Sequence, residues 1–201
     1  RGPRARRRFR GGLARSHIAR FSIAALVLSI ILPVPVLALS VEVGSPPPPV
    51  TVSKAGELEV DGDEIAYQPW NSNDLTGRMR VVQHLAGRSS ARKLTEPLTA
   101  AITAASFAED AYQTTTIIDK SDALFGTGGV VSGRAESSKK EFPWSSVVLD
   151  EEGTVRDAWG LEKKTATILV VDQKGTVLKT HVGELSSAQI DEIIGMIKAG
   201  L

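Results

Sequence analysis

The residues best suited to chemistry lie in one short stretch, in which two arginines flank two serines. Arg88, Ser89, Ser90 and Arg92 follow an apolar run that ends in a glycine. Guanidinium groups form paired hydrogen bonds with carboxylates and phosphates, and the first N–H groups of a helix favour negative charge. The stretch therefore predicts a site for a small anion. The alternative is that a serine caps the helix and both arginines pair with surface acids.

The stretch lies at a predicted corner between a buried strand and a helix. Val81, Val82 and Leu85 form an apolar run of strand length, and Gly87 supplies a turn. Apolar residues at helical spacing then continue to about Phe107. In α/β proteins a ligand often lies at the carboxyl end of a strand, where the next helix begins. We therefore expect both arginines at the rim of a crevice.

Other candidate groups carry less weight. His84 is the one histidine of the central strand, and it is either a base, a metal ligand or a packed, hydrogen-bonded side chain. No carboxylate clusters near it in the sequence, which favours the packed role. A serine hydrolase would need Ser89, Asp122 and His181 in an arrangement that nothing in the sequence indicates. We predict no catalytic residue, no metal site and no cofactor.

Strands and helices alternate along residues 50–201 and indicate one α/β domain. Short strands on either side of a turn at Asp61 predict a small N-terminal β-hairpin. The glycine-rich residues 126–129 are predicted as a mobile connection, and Ser186 with Gln189 predicts a capping box that begins a terminal helix. The other predicted elements are strands at 112–118, 147–149, 167–171 and 176–182 and a helix at 134–142.

The first 38 residues have the pattern of a secretory signal peptide. Eight arginines and no acid accompany an apolar run, and Val36 and Ala38 occupy the two positions that a signal peptidase inspects. Cleavage is predicted after Ala38, and residues 39–49 form a proline-rich lead-in to the domain. The alternative is an uncleaved anchor, because the apolar stretch 21–39 is nearly long enough to span a bilayer.

Removal of the leader changes the sign of the net charge. The whole chain has 24 basic and 23 acidic residues, a net charge of +1. The eight arginines before residue 38 leave 16 basic against 23 acidic residues, so the mature chain has a net charge of about −7. Nucleic-acid binding needs a basic face and is therefore disfavoured. Contact with a membrane is expected only through an uncleaved leader.

Two stretches resemble the secreted thiol oxidoreductases of the thioredoxin superfamily. Gly77–Arg92 resembles their strand followed by Cys-x-x-Cys, and Thr167–Gly175 resembles their later strand that closes on a glycine turn. The resemblance implies an α/β, thioredoxin-like fold with a central mixed sheet flanked by helices. The two redox positions fall on Ser89 and Arg92, and the chain contains no cysteine. Without a thiolate there is no thiol–disulfide exchange.

Ordered sequence matches extend over almost the whole mature chain. They lie at residues 70–72, 82–91, 112–117, 136–140 and 143–144 and at Trp159. These stretches resemble the YtfJ family of small periplasmic proteins in Gram-negative bacteria, which is similar to thioredoxins without redox cysteines. The family has no established activity, and the leader and the acidic mature charge oppose the transcriptional-regulator label that some members carry. The resemblance implies fold and periplasmic location and brings no catalytic residues.

Two classes of function remain open. The first is a non-catalytic module that holds a small anion or an extended peptide at the corner, or that binds a periplasmic protein. The second is an enzyme of unknown reaction centred on Arg88, Ser89 and Arg92. The absence of cysteine and of a recognisable catalytic arrangement favours the first class.

Overall fold

The structure is a computed structural model that describes residues 40–201; the predicted leader cleavage and anchor lie outside them. Within this range the chain forms seven strands and four α-helices: β1 (Thr51–Asp61), β2 (Glu64–Asn71), β3 (Met79–Ala86), α1 (Ser89–Ala105), β4 (Tyr112–Asp119), α2 (Gly128–Glu141), β5 (Ser146–Asp150), α3 (Thr154–Trp159), β6 (Ala166–Val171), β7 (Val177–Val182) and α4 (Ser187–Gly200). No helix in residues 40–201 is both long enough and apolar enough to cross a membrane.

All seven strands belong to one mixed sheet in the order β2-β1-β5-β4-β3-β6-β7. β3 pairs in parallel with β4 and antiparallel with β6, and β4 pairs in parallel with β5. Every residue of β3 is buried, because strands flank it and helices cover both faces. β3, the strand that leads to Arg88, therefore lies in the interior of the sheet, and the neighbouring strands fix the position of its carboxyl end.

Two apolar layers hold the helices on opposite faces of the sheet. One contains Val82, Ile117 and Leu169 with Trp159 of α3, whose ring meets the Trp70 ring edge to face at 6.5 Å between centroids. The other is built from alternate strand residues together with buried side chains of α1 and α4. Its members from the strands and helices are Met79, Val81, Ile168, Val170, Leu98, Ile102, Ile193 and Ile197. The helix α4 begins with the predicted capping box of Ser186 and Gln189.

Several predicted boundaries are wrong, for local reasons. The glycine-rich residues 126–129 are not only a connection, because α2 begins at Gly128 and not at Arg134. The short helix α3 was not predicted at all. It forms because the buried Asp150 carboxylate accepts hydrogen bonds from the N–H groups of Gly153 (2.9 Å) and Val155 (2.8 Å) at its start.

The first two strands form an antiparallel hairpin with an irregularity in β1. Ala55 and Gly56 have positive φ angles of 64° and 84°, and the pairing register shifts between Val52 and Glu57. This is a bulge, which bends one long strand where the sequence predicts two short ones. Residues 55–57 at the bulge pair with β5, and residues 57–61 after it pair with β2.

The proline-rich lead-in lies against the domain. The Trp159 indole N–H donates to the Pro48 carbonyl oxygen at 2.8 Å, and Val177 N–H donates to the Ser45 carbonyl oxygen at 3.0 Å. Gly44 N–H donates in return to the Val177 carbonyl oxygen at 2.8 Å. Backbone hydrogen bonds therefore tie residues 44–45 to β7, and the Trp159 side chain ties Pro48 to α3.

Candidate functional site

A pocket of about 180 Å³ opens at the corner between β3 and α1. Three arginines line it: Arg88 at the start of α1, Arg92 in its first turn, and Arg134 of α2. Ser89 lies among them, and no acid lines this pocket. The apolar lining comes from Leu85, Ile118, Leu124, Val130 and Val131. The pocket therefore combines positive charge with an apolar wall.

Arg88 is not the free rim residue that the sequence predicts. Its Nε donates to the Asp122 carbonyl oxygen at 2.7 Å, and its Nη2 donates to Asp122 Oδ1 at 2.9 Å. Burial raises the pKa of Asp122, but the hydrogen bonds from Lys164 N–H and Arg88 outweigh it and hold that pKa below its usual value. One edge of the Arg88 guanidinium therefore binds Asp122 and is not available to a ligand.

Arg92 and Arg134 are the exposed cations of the pocket. Arg92 makes an exposed ion pair with Glu96 one turn later in α1, at 3.4 Å. Such exposed pairs contribute little to stability, and a ligand can replace the carboxylate. Arg134 has no acid partner in residues 40–201, and its Nη1 makes only a long contact of 3.4 Å with Ser89 Oγ.

Neither serine caps α1, although the alternative interpretation of the sequence expects such a cap. Arg88 is the residue before the helix, and its side chain makes no capping hydrogen bond. Ser89 and Ser90 are the first two helical residues, and Ser90 does not line the pocket. The N–H groups of a first helical turn have no partner within the helix, so they are available to an anion at this corner.

His84 lies on the other face of β3. Leu85 lines the pocket, and His84 points the opposite way because side chains alternate along a strand. It is buried, with no hydrogen bond to its Nε2 in the described structure. Burial lowers its pKa, although Asp119 and Asp150 nearby act to raise it. His84 is thus a packed histidine, as favoured, but its Nε2 is not hydrogen-bonded.

Buried carboxylates at the ends of the parallel strands are held by other groups of the fold. Asp119, at the end of β4, accepts hydrogen bonds from Arg156 Nη1 and, at 2.6 Å, from Ser121 Oγ. Asp150 accepts from the first N–H groups of α3, and Asp122 accepts from Arg88. Each of these carboxylates therefore has a structural partner.

Sequence reasoning missed Arg134 as a site residue. It lies 45 positions from Ser89, and the sequence places it only at the start of a predicted helix. The two residues meet because α2 packs beside the corner. In the sequence it is one of three cations on a helix with few apolar residues, a signal that is too weak to assign a role.

Comparison with known proteins identifies the family. The profile of the family described as "Bacterial protein of unknown function (YtfJ_HI0045)" matches residues 41–200. The "Uncharacterized protein YtfJ" of Escherichia coli (strain K12) is 36% identical over 169 residues, which cover 84% of this chain and 92% of that protein. An "Uncharacterized protein" of Haemophilus influenzae is 39% identical over 175 residues, which cover 87% of this chain and 95% of that protein.

Solved structures show the fold. A putative thiol:disulfide interchange protein DsbE from Chlorobium tepidum superposes with a TM-score of 0.55 at 18% identity, covering 80% of this chain and 99% of that one. A putative protein disulfide isomerase from Bacteroides thetaiotaomicron gives a TM-score of 0.55 at 14% identity, covering 82% and 94%. The predicted thioredoxin-like fold and the predicted family are confirmed. The chain belongs to the YtfJ family and has a thioredoxin-like fold.

Proposed function

We propose that this protein is a secreted, periplasmic binding module that holds a small anionic group in the arginine pocket without transforming it. The observation that carries the proposal is the pair of exposed guanidinium groups of Arg92 and Arg134 beside Ser89, in a pocket with no acid in its lining. The apolar wall favours a carboxylate that carries a short apolar body.

The expected affinity is modest. A helix N-terminus contributes about 0.3 to 1 kcal/mol towards a negative charge, and each hydrogen bond to a charged group contributes about 1.5 to 3 kcal/mol. Two arginines and one helix terminus therefore support dissociation constants in the millimolar to micromolar range. The interaction is electrostatic in part, so binding should weaken as salt is added.

Binding without reaction is supported by what the pocket lacks. The chain has no cysteine for thiol chemistry. Asp119, Asp122 and Asp150, which lie at or just after the carboxyl ends of β4 and β5, are bound to arginines or helix N–H groups. A general base needs a free lone pair within hydrogen-bond reach of its substrate. An enzyme centred on Arg88, Ser89 and Arg92 is the alternative.

The proposed compartment rests on the sequence. Eight arginines followed by an apolar run and a signal-peptidase pattern at Val36 and Ala38 support export. Amino-terminal sequencing of the protein isolated from the bacterial envelope tests it. A chain that begins at Leu39 supports the periplasmic proposal, and a chain that retains residues 1–38 supports an anchor.

Calorimetric titration with benzoate and with inorganic phosphate tests the binding site. We expect at least one of them to bind, and Arg134→Gln to weaken that binding at least ten-fold because one charged donor is lost. Lys93→Gln is the matched control, since Lys93 is exposed beside Arg92 but does not line the pocket.

Two results would count against the proposal. Equal binding by wild type and Arg134→Gln would place the anion elsewhere. Turnover of a bound ester or phosphate that disappears in Ser89→Ala would instead support the enzyme.

A further inference from the structure

The arginine pocket opens into a longer groove between α1 and α2. The groove has a volume of about 890 Å³ and shares Leu85, Arg92, Ile118 and Arg134 with the pocket. It also shares lining residues, including Thr116, with a further cavity of about 420 Å³ towards the other end of the two helices. The three cavities therefore form one continuous path that begins at the arginines.

The floor of this path is a strip of sheet that helices cover only in part. Thr114, Thr116 and Ile118 of β4 are only half-buried, although β4 lies between β3 and β5 in the middle of the sheet. In an α/β sandwich, helices normally cover both faces of such a strand. α1 and α2 stand apart over β4 and leave room for another chain segment.

The two ends of the path differ in charge and in shape. Arg92 and Arg134 lie at one end, where Glu96 also lines the groove and forms the exposed ion pair with Arg92 that a ligand carboxylate would replace. At the other end Phe142 and Trp144 are exposed, with their rings edge to face at 5.7 Å between centroids, and Glu109 lines the same cavity. A ligand that matches the path has a negative end and, some distance away, an apolar side chain that can lie against these aromatic rings.

The walls include many small or hydroxyl-bearing side chains, together with Glu96 of α1 and Glu141 of α2. The small or hydroxyl-bearing members from α1 include Thr99, Ala100, Thr103 and Ala104, and those from α2 include Ser137 and Ser138. Hydroxyl groups are hydrogen-bond partners for a peptide backbone, whereas an acyl chain gains most from aliphatic walls. The path is therefore better suited to a peptide than to a lipid.

Building on the proposed anion site, we propose that the groove binds an extended peptide whose C-terminal carboxylate lies between Arg92 and Arg134. The upstream residues follow α1 towards Trp144. α1 has 17 residues and is about 25 Å long at 1.5 Å per residue. An extended peptide advances about 3.3 Å per residue, so about seven residues fill the groove.

Binding of short peptides by fluorescence anisotropy or calorimetry tests this inference. The probes are acetyl-Leu-Ser-Ala-Ser-Thr-Ala-Val and acetyl-Ala-Val, each with a free carboxylate, and the longer peptide as its C-terminal amide. We expect the longer acid to bind at least ten-fold more tightly than the shorter one. Its amide should bind at least ten-fold more weakly, because the arginines lose a charged partner.

A variant that fills the groove separates this inference from the anion site. Ala100 is an exposed groove residue, and Ala199 of α4 is an exposed alanine outside it. Ala100→Trp should weaken binding of the longer peptide at least five-fold and leave acetyl-Ala-Val unchanged. Ala199→Trp, the control, should change neither. Equal urea midpoints for the two variants and the wild type confirm that each folds.

The outcomes identify which proposal fails. If acetyl-Ala-Val binds in an Arg134-dependent manner but the longer peptide binds no better, the anion site stands and the groove proposal is wrong. If neither peptide binds, and benzoate and phosphate do not bind either, both are wrong. Tighter binding of laurate than of the longer peptide, lost in Ala100→Trp, would assign the groove to an acyl chain and overturn the peptide proposal.

Discussion

Replacing Arg88 by glutamine removes the guanidinium that holds Asp122 at the corner. The wild-type side chain donates to the Asp122 carbonyl oxygen at 2.7 Å and to Oδ1 at 2.9 Å. The Arg88 side chain is 20% exposed and that of Asp122 is 5% exposed, so water replaces these bonds poorly. A hydrogen bond to a charged group contributes about 1.5 to 3 kcal/mol, and we expect a loss of that size in the free energy of unfolding.

Urea unfolding at pH 7, followed by tryptophan fluorescence, measures this loss. In thermal unfolding of a domain of this size, a loss of 1 kcal/mol lowers the melting temperature by about 2 to 4 °C. The melting temperature of Arg88→Gln should therefore fall by about 3 to 12 °C. Asp122→Asn and the double variant complete a cycle in which we expect a coupling energy of at least about 1 kcal/mol. Arg134→Gln is the control and should change stability by less than about 0.5 kcal/mol.

The same pair predicts a dependence on pH. The pKa of Asp122 is lower in the folded chain than its ordinary value of 3.8. A carboxyl of this kind contributes stability that is present above its unfolded pKa and is lost as the pH falls through its folded pKa. The gap between wild type and Arg88→Gln should be constant from about pH 7 to 5 and narrow below pH 4. Equal stability of the two proteins at pH 7 would refute this reasoning and return Arg88 to the groups free to bind an anion.

Three further predictions concern the rest of the domain. Burial keeps the pKa of His84 below its usual 6.5, so on acidification the unfolded chain binds a proton more readily than the folded chain does. The free energy of unfolding should therefore fall by up to about 1.4 kcal/mol between pH 7.5 and 5.5. Urea unfolding of His84→Gln should not show this dependence on pH. Gly56→Ala should cost at least about 1 to 2 kcal/mol, because φ is 84° and a Cβ would lie 2.1 Å from the Gln68 carbonyl oxygen. Gly62→Ala, also at positive φ but with open space around it, should cost less in the same assay. Asp150→Ala should destabilise the domain by about 2 kcal/mol and speed hydrogen exchange in α3, and Asp150→Asn should do so less.

The parts of the fold that were predicted correctly carry their signal in adjacent residues. The apolar runs of β3 and β6 and the capping box of α4 can be seen within eight or fewer residues. α2 begins with glycines, which lower helix propensity, so no signal in the sequence predicts its first turn. α3 depends on the Asp150 carboxylate, which lies only three and five residues before its partners, but an Asp followed closely by a Gly is also typical of a simple turn, so this pattern does not predict a helix.

The candidate site shows the same division between local and distant information. The position of Arg92 and Ser89 at the start of a helix follows from the strand-turn-helix pattern. The hydrogen bonds between Arg88 and Asp122, and the position of Arg134 beside Ser89, cannot be predicted from this pattern. These contacts join residues that are 34 and 45 positions apart in the sequence. Arginine pairs readily with carboxylates, but this preference does not predict which of the 23 acidic residues lies near Arg88.

The occupied carboxylates at the ends of β4 and β5 have a consequence for protein engineering. Asp119 and Asp150 end the two strands near the corner, yet both are fully buried and each holds a helix or an arginine in place. Freeing either carboxylate to accept a proton from a substrate would break the structural contact that it makes and would lower the stability of the domain. A designer who wants a hydrolase on this scaffold should therefore introduce a new base on the exposed side of α2, where Val130 already lines the pocket.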